Sequence, residues 1–270
     1  MQEKKESPRD PPFPIARQGE VSLPSGQHDL YAHWLRILND TGIPYAVAGA
    51  FGLHAYTGIW RETKDLDVFI QPEHLEQAMQ ALAAKGFETL VWDRHWLAKI
   101  RCEPYFMDLL FGLGSGMIEV DADWMAYTRP AVILGVPIPL IAIEELIASK
   151  TMIAKRDRFD GADVVHLIHA ARGKLDWGRL QKRLHRMPGL LLWHCVFFDL
   201  IYPGHPDYLP QERIVSLFET MRKGWSQDRG PRAFRGTLID PYSFAVDCED
   251  WGYEDARDIE PLVDERGRHR

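Results

Sequence analysis

YAVAGAFGLHAYTGIWRETKDLDVFI, residues 45–70, is the stretch on which the reading of this chain turns. The apolar run Tyr45 to Ala48 breaks at Gly49, an amphipathic turn follows, and Asp65 to Ile70 resumes as a second apolar run headed by two carboxylates spaced i, i+2. The order is strand, turn, helix, strand. Side chains alternate along a strand, so Asp65 and Asp67 share one face while Leu66, Val68 and Ile70 share the other. Two anions in so small a space repel each other and resist desolvation, and such a pair is usually answered by a cation, most often a divalent metal with oxygen ligands. Further on, YFMDLLFG (residues 105–112) reads as an apolar strand whose single charge, Asp108, serves no packing purpose. A third carboxylate at the early pair would complete a two-metal site. The plainer alternative is that Asp65 caps a turn and Asp67 is solvated at a sheet edge.

Working outward, 270 residues of which 46% are hydrophobic suffice for one large domain or two modest ones with a packed core. The net charge of −7 argues against a broad basic surface for long duplex nucleic acid, although a local groove of Arg and Lys is compatible with it. Cys102, Cys195 and Cys248 are isolated and lack CxxC spacing, which predicts neither a disulfide framework nor a zinc site. MQEKKESPRDPPFP at the start has no apolar core of a signal peptide, and no run of about 18 apolar residues occurs. The expectation is a soluble, cytoplasmic protein with no membrane partner.

Residues 1–26, with five prolines among charges, read as a flexible arm. Residues 27–140 read as an α+β unit with a mixed sheet. Leu30, Tyr31, Trp34, Leu35 and Leu38 recur at helical spacing and lead into the first strand, and Pro72 opens a helix closed by Gly86. Strands are expected over 89–92, 96–101 and 105–111, a short helix over 121–127, and one strand over 131–140 bent at Gly135 and Pro137. From Ile143 the period becomes helical, and residues 141–221 read as a helical domain of five helices. Residues 222–270 read as linker and acidic tail, with 238–253 regaining aromatic residues as a docking segment.

Gly49-Ala50, then Asp65-Leu66-Asp67, then a lone Asp108 on a later strand resembles the signature of the DNA polymerase β-type nucleotidyltransferase superfamily. The small single-substrate branch, with its aminoglycoside nucleotidyltransferases, MNT proteins and AbiEii-type toxins, is the part it is most similar to. The resemblance covers roughly residues 31–184 and implies a metal-dependent transfer of a nucleoside monophosphate from an NTP, ATP being the expected donor, to a hydroxyl acceptor. It implies that Asp65 and Asp67 bind both of two Mg ions, that Asp108 binds the catalytic one, and that the Gly49-Ala50 turn holds the phosphates. Where the family has a second Gly or Ser this chain has Ala50, which removes a hydroxyl or a close backbone approach. Backbone N–H groups at a helix start with small residues are a natural phosphate seat, the plainer alternative being an ordinary strand-to-helix turn, and the position ahead of Asp65 and Asp67 favours the phosphate reading.

Arg61 and Lys64 precede the acidic strand, where a triphosphate needs cations and where solvated loop charge is the bland reading. Arg61 gains from the family's Arg-x-Thr-x-Asp-x-Asp run, matched here by residues 61–67. Lys150 falls on an apolar helical stripe, so it either snorkels, pairs with a buried anion, or, as the resemblance implies, contacts the nucleotide. Asp160 and Asp163 read as servants of their helix N-terminus. His166, His169, His185 and His194 lack a carboxylate pattern that would complete a metal site. The acceptor expected is a small molecule or protein, with tRNA as the toxin-type alternative and a nucleotide binder without turnover as a third reading.

Overall fold

The computed structural model describes residues 21–114, 116–225 and 233–259, so the expected arm over its first 20 residues and the last stretch of the tail lie outside the described residues. In chain order the elements are α1 (Ser25–Thr41), β1 (Tyr45–Val47), α2 (Gly49–Thr57), β2 (Asp65–Ile70), α3 (Pro72–Ala83), β3 (Glu88–Asp93), β4 (Leu97–Cys102) and β5 (Tyr105–Leu110). A small ribbon of β6 (Gly112–Leu113) and β7 (Ile118–Glu119) follows, then α4 (Ala122–Ala126), β8 (Arg129–Ile133) and β9 (Val136–Leu140). The helices α5 (Ile143–Thr151), α6 (Gly161–Ala171), α7 (Trp177–Arg183), α8 (Pro188–Ile201) and α9 (Gln211–Trp225) come next. Short elements close the described chain: β10 (Ala233–Phe234), α10 (Ala245–Glu249), β11 (Glu254–Asp255) and α11 (Ala256–Ile259). The class is α+β, a mixed sheet with flanking helices followed by a helical region.

Seven strands form one sheet in the order β3-β4-β5-β2-β1-β9-β8. Strand β2 runs antiparallel to β1 and parallel to β5, so the strand carrying Asp65 and Asp67 is internal and lies directly beside the one carrying Asp108. Alternation then does what the sequence demands of it. Leu66, Val68 and Ile70 are buried on one face, with Met107, Leu109, Ala98 and Ile100 from the neighbouring strands, while Asp65 and Asp67 face the other way. Farther along that second face the sheet is covered again, because Phe69 stacks on Trp124 of α4 with ring centroids 5.1 Å apart. The carboxylates thus sit where apolar cover stops.

Three expectations change. Residues 131–140 are not one bent strand: β8 and β9 pair antiparallel through a turn at Leu134 and Gly135, whose φ angles of 51° and 71° are left-handed, so the hinge closes completely into a hairpin. The last helix of the helical region does not stop at Met221 but runs to Trp225, with Arg222 Nη2 2.8 Å from Glu219 Oε2 across one turn. The segment after residue 236 is tied down: the buried Asp240 accepts the Arg156 backbone N–H at 3.0 Å, and Thr237 donates to Asp255 at 2.7 Å. No helix among the described residues is long and apolar enough to cross a membrane. All three cysteines are free.

Candidate active site

Register alone brings the three aspartates together. Asp67 and Asp108 are direct partners across the parallel β2–β5 pair, and Asp65 lies two residues earlier on the same face. One carboxylate oxygen from each of Asp65, Asp67 and Asp108 lies within 4.8 Å of the other two. Among the described residues this is the one group of three potential ligands so placed. Burial first, and then the charges of Asp65 and Asp108, push the Asp67 carboxyl up to about 7. Burial likewise raises Asp108, against the pull of Lys99. Three carboxylates crowded this closely are a donor set of hard oxygens suited to a divalent cation of the Mg type. Thr63 steadies the near end of the set by donating its hydroxyl to Asp65, and its own carbonyl accepts from the buried Gln27 at 2.5 Å.

The glycine of the turn is required twice over. Gly49 opens α2 at φ +57°, a conformation costly for other residues, and a Cβ there would lie 1.8 Å from Asp67 Oδ2. The turn and the aspartate therefore occupy one space, pinned by the Ala48 N–H donating to the Asp67 carbonyl at 2.9 Å. Gly49→Ala is expected to cost roughly 1–3 kcal/mol of stability through the backbone alone and to displace Asp67 as well. Thermal unfolding combined with Mn(II) titration checks it: unchanged metal affinity would show that Asp67 does not need this turn. Ala50 follows Gly49 at the half-buried first turn of α2, where the leading N–H groups lack helical partners.

Lys150 is 5% exposed and neither snorkels nor stands free. Its Nζ lies 2.6 Å from Asp163 Oδ2 and 3.0 Å from Asp160 Oδ2, both buried carboxylates of the α6 start. Asp160 occupies the position before α6 yet makes no side-chain cap bond, so the expectation that these aspartates serve the helix end gives way to an ionic role. Each holds a second cation. Asp160 takes Arg158 through two bonds, at 3.0 and 3.1 Å, and Asp163 takes Arg61. The result is an alternating relay, Arg158–Asp160–Lys150–Asp163–Arg61, with a buried centre and guanidiniums at its ends whose side chains are 57% and 54% exposed. Arg158 is presented by a tight turn closed by the Lys155 N–H to the Arg158 carbonyl at 2.8 Å, and its charge is felt at Asp67. Lys64 stays exposed on the loop before β2, where its carbonyl accepts the Phe106 N–H at 3.1 Å.

Asp160 gives a pH signature. Burial alone would raise its carboxyl, but the Arg158 hydrogen bond and the Lys150 charge outweigh burial and hold it below the usual range. A depressed carboxyl stabilises fully above its unfolded value of about 4 and loses that contribution as pH falls through the lower folded value. The stability gap between wild type and Asp160→Asn is thus expected to be widest above about pH 5 and to shrink steadily below pH 4, read by thermal melts across that range. A gap independent of pH would contradict the relay.

Two site residues escape the sequence reading. Lys99 lies on β4 directly opposite Asp108, with Nζ 2.6 Å from Oδ1, and the only advance signal was the two-residue turn at Glu103 and Pro104 that pairs Cys102 with Tyr105 and so sets that register. Arg158 carried no motif, and only the turn that presents it gives it a role. Of the histidines considered above, the buried His194 places Nδ1 2.8 Å from the Leu190 carbonyl oxygen, His185 does the same with Lys182 at 2.9 Å, and His169 stacks on Tyr202 at 4.6 Å.

No family model and no curated protein matches the chain. Among solved structures, the chain is similar to the antibiotic-resistance factor ANT(2'')-Ia at 13% identity, over 68% of this chain and 99% of that one, with a TM-score of 0.45. It is similar to the lincosamide antibiotic adenylyltransferase LnuA in its lincomycin-bound form at 17% identity, over 53% and 96% of the two chains, with a TM-score of 0.37. A third is an antigenic nucleotidyltransferase-like protein from Paracoccidioides brasiliensis, 17% identical over 62% and 92% of the chains, with a TM-score of 0.36. Solved structures similar to this chain thus include an adenylyltransferase and a nucleotidyltransferase-like protein.

Proposed function

We propose that the protein is a metal-dependent nucleotidyltransferase that moves a nucleoside monophosphate from an NTP, with ATP the first candidate, to an acceptor hydroxyl. The observation that carries this is the convergence of Asp65, Asp67 and Asp108 to within 4.8 Å on one face of the sheet, beside a helix start whose glycine leaves no room for a Cβ. Asp65, Asp67 and Asp108 are the residues that would hold Mg. When bound, such an ion supplies positive charge against the triphosphate and acidity to the attacking hydroxyl.

The remaining work falls to this chain. The N–H groups of Gly49 and Ala50 at the start of α2, which have no carbonyl partner within the helix, seat phosphate oxygens. Arg158 and Arg61 supply guanidinium forks that the buried relay holds in place, so little side-chain freedom is lost on binding. Lys150 acts through them as a positioning residue, and Lys64 contributes loop charge. In the transfer a bond forms between the acceptor oxygen and the α-phosphorus, the bond to the bridging oxygen breaks, and pyrophosphate leaves. We take residues 27–140 as the catalytic part, which contributes Arg61 to the relay, and the helices from Ile143 to Trp225 as the part that carries the rest of it. The overall charge of −7 favours a small-molecule or protein acceptor over long nucleic acid.

Incubation with each α-labelled NTP, Mg and cell extract tests the proposal. Pyrophosphate release and label entering a small-molecule or protein fraction are expected, both lost on Asp65→Asn. Absence of release with every NTP would reduce the protein to a nucleotide binder at most.

A further inference from the structure

The ammonium on Asp108 is the feature of this site that metal ligation does not require. Lys99 and Asp108 are opposed residues of the β4–β5 hairpin, both largely buried at 16% and 13% side-chain exposure, with Nζ to Oδ1 at 2.6 Å. One of the lone-pair sites a metal would use is therefore already filled, and one of three crowded negative charges is already matched. The same ammonium already makes a second kind of contact. It lies 4.3 Å from the Phe106 ring centroid and 5.8 Å from that of Trp92, faces able to hold a cation that has left its carboxylate. Phe106 sits two residues from Asp108 on the same strand face, so the ring is fixed where the displaced ammonium would go.

We propose that Lys99 is a built-in counter-cation that competes with divalent metal for Asp108, so that metal alone binds the triad weakly and takes Asp108 only when a nucleotide brings its own phosphate ligands. The inference rests on the metal-site reading above. A unit positive charge at hydrogen-bond distance from a ligand oxygen both blocks that oxygen and repels a dication a few ångströms away. Nucleotide phosphates reverse the balance, since they add ligand oxygens and negative charge to the dication while Lys99 gives up Asp108 and keeps its contact with Phe106. The consequence is an ordered site. Without nucleotide the carboxylates are partly neutralised from within and the fold does not depend on metal, and with nucleotide the third carboxylate becomes available.

The test is titration of the full chain with Mn(II) alone, followed by electron paramagnetic resonance, for wild type, Lys99→Met, Lys99→Gln and Lys99→Arg, alongside thermal melts with and without metal. Both neutral variants are expected to bind Mn(II) about tenfold or more tightly than wild type, since the competing charge is gone, whereas Lys99→Arg stays near wild type. Their metal-free melting temperatures should fall and recover when Mn(II) is added. A purely structural lysine would behave oppositely, since losing it would loosen the site and weaken metal binding. Equal or weaker affinity in Lys99→Met and Lys99→Gln, with Mn(II) binding still lost on Asp65→Asn, overturns the competition and leaves the metal site standing. Binding that is absent throughout, or indifferent to Asp65→Asn, overturns the metal site and the competition together.

Discussion

Asp67→Asn is expected to lower NTP turnover by roughly a thousandfold or more, about 4 kcal/mol of transition-state stabilisation, while leaving the fold intact or firmer. Asparagine has nearly the same volume and removes one charge from a site where three carboxylates crowd within 4.8 Å. Burial and the charges of Asp65 and Asp108 already push Asp67 up to about 7, so the ionised form is a cost to the metal-free protein near neutral pH. Relieving that cost raises the melting temperature even as activity disappears. The opposed signs make the prediction sharp. A residue that merely held the sheet together would lose stability and activity together, and a solvated edge aspartate would change neither. Pyrophosphate release and calorimetry on the same sample separate the three outcomes, and activity retained within tenfold would remove Asp67 from the catalytic set.

Lys150→Met carries the largest expected stability effect, a loss of about 3–5 kcal/mol, because it leaves two buried carboxylates facing each other without the cation they share. Asp160 and Asp163 are 5% and 2% exposed, so water cannot replace the ammonium, and Arg158 and Arg61 reach them only from the outer side. The fall in melting temperature should be roughly 10 °C for a chain of this size. Adding Asp163→Asn to Lys150→Met should return part of the loss, since it removes one of the two stranded charges, and a double-mutant cycle measures that coupling. If the two substitutions simply add, the relay is not one unit. Both variants should also bind nucleotide less tightly, through guanidiniums whose anchors have shifted.

These two results concern residues that were legible in the chain to different degrees. The acidic pair could be placed on one strand face from the i, i+2 spacing alone, and Asp108 stood out as a lone charge in an apolar strand. What brought it to Asp67 was the parallel β2–β5 pairing, a contact between segments about 40 residues apart along the chain that no local pattern announces. Lys150 was visible as a cation in the wrong place, with a buried anion among its possible partners. The identity of that anion was hidden because Asp160 and Asp163 sit where helix-start aspartates are ordinary. The β8–β9 hairpin was misread because Gly135 after Leu134 marks both a bend and a tight reversal, and only the strand that arrives opposite decides which.

The sequence by itself determined the elements and the chemistry each could carry: a period-two strand headed by two carboxylates, a glycine break before a helix, a charge stranded in an apolar run. Tertiary structure alone decided which charges meet, namely Asp108 with both Asp67 and Lys99, and Lys150 with Asp160 and Asp163. The physical reason is one of range. Backbone sterics and side-chain alternation act over a few residues and leave their mark in the local pattern, whereas ionic pairing depends on strand register and helix docking, which the burial of the whole apolar core sets at once.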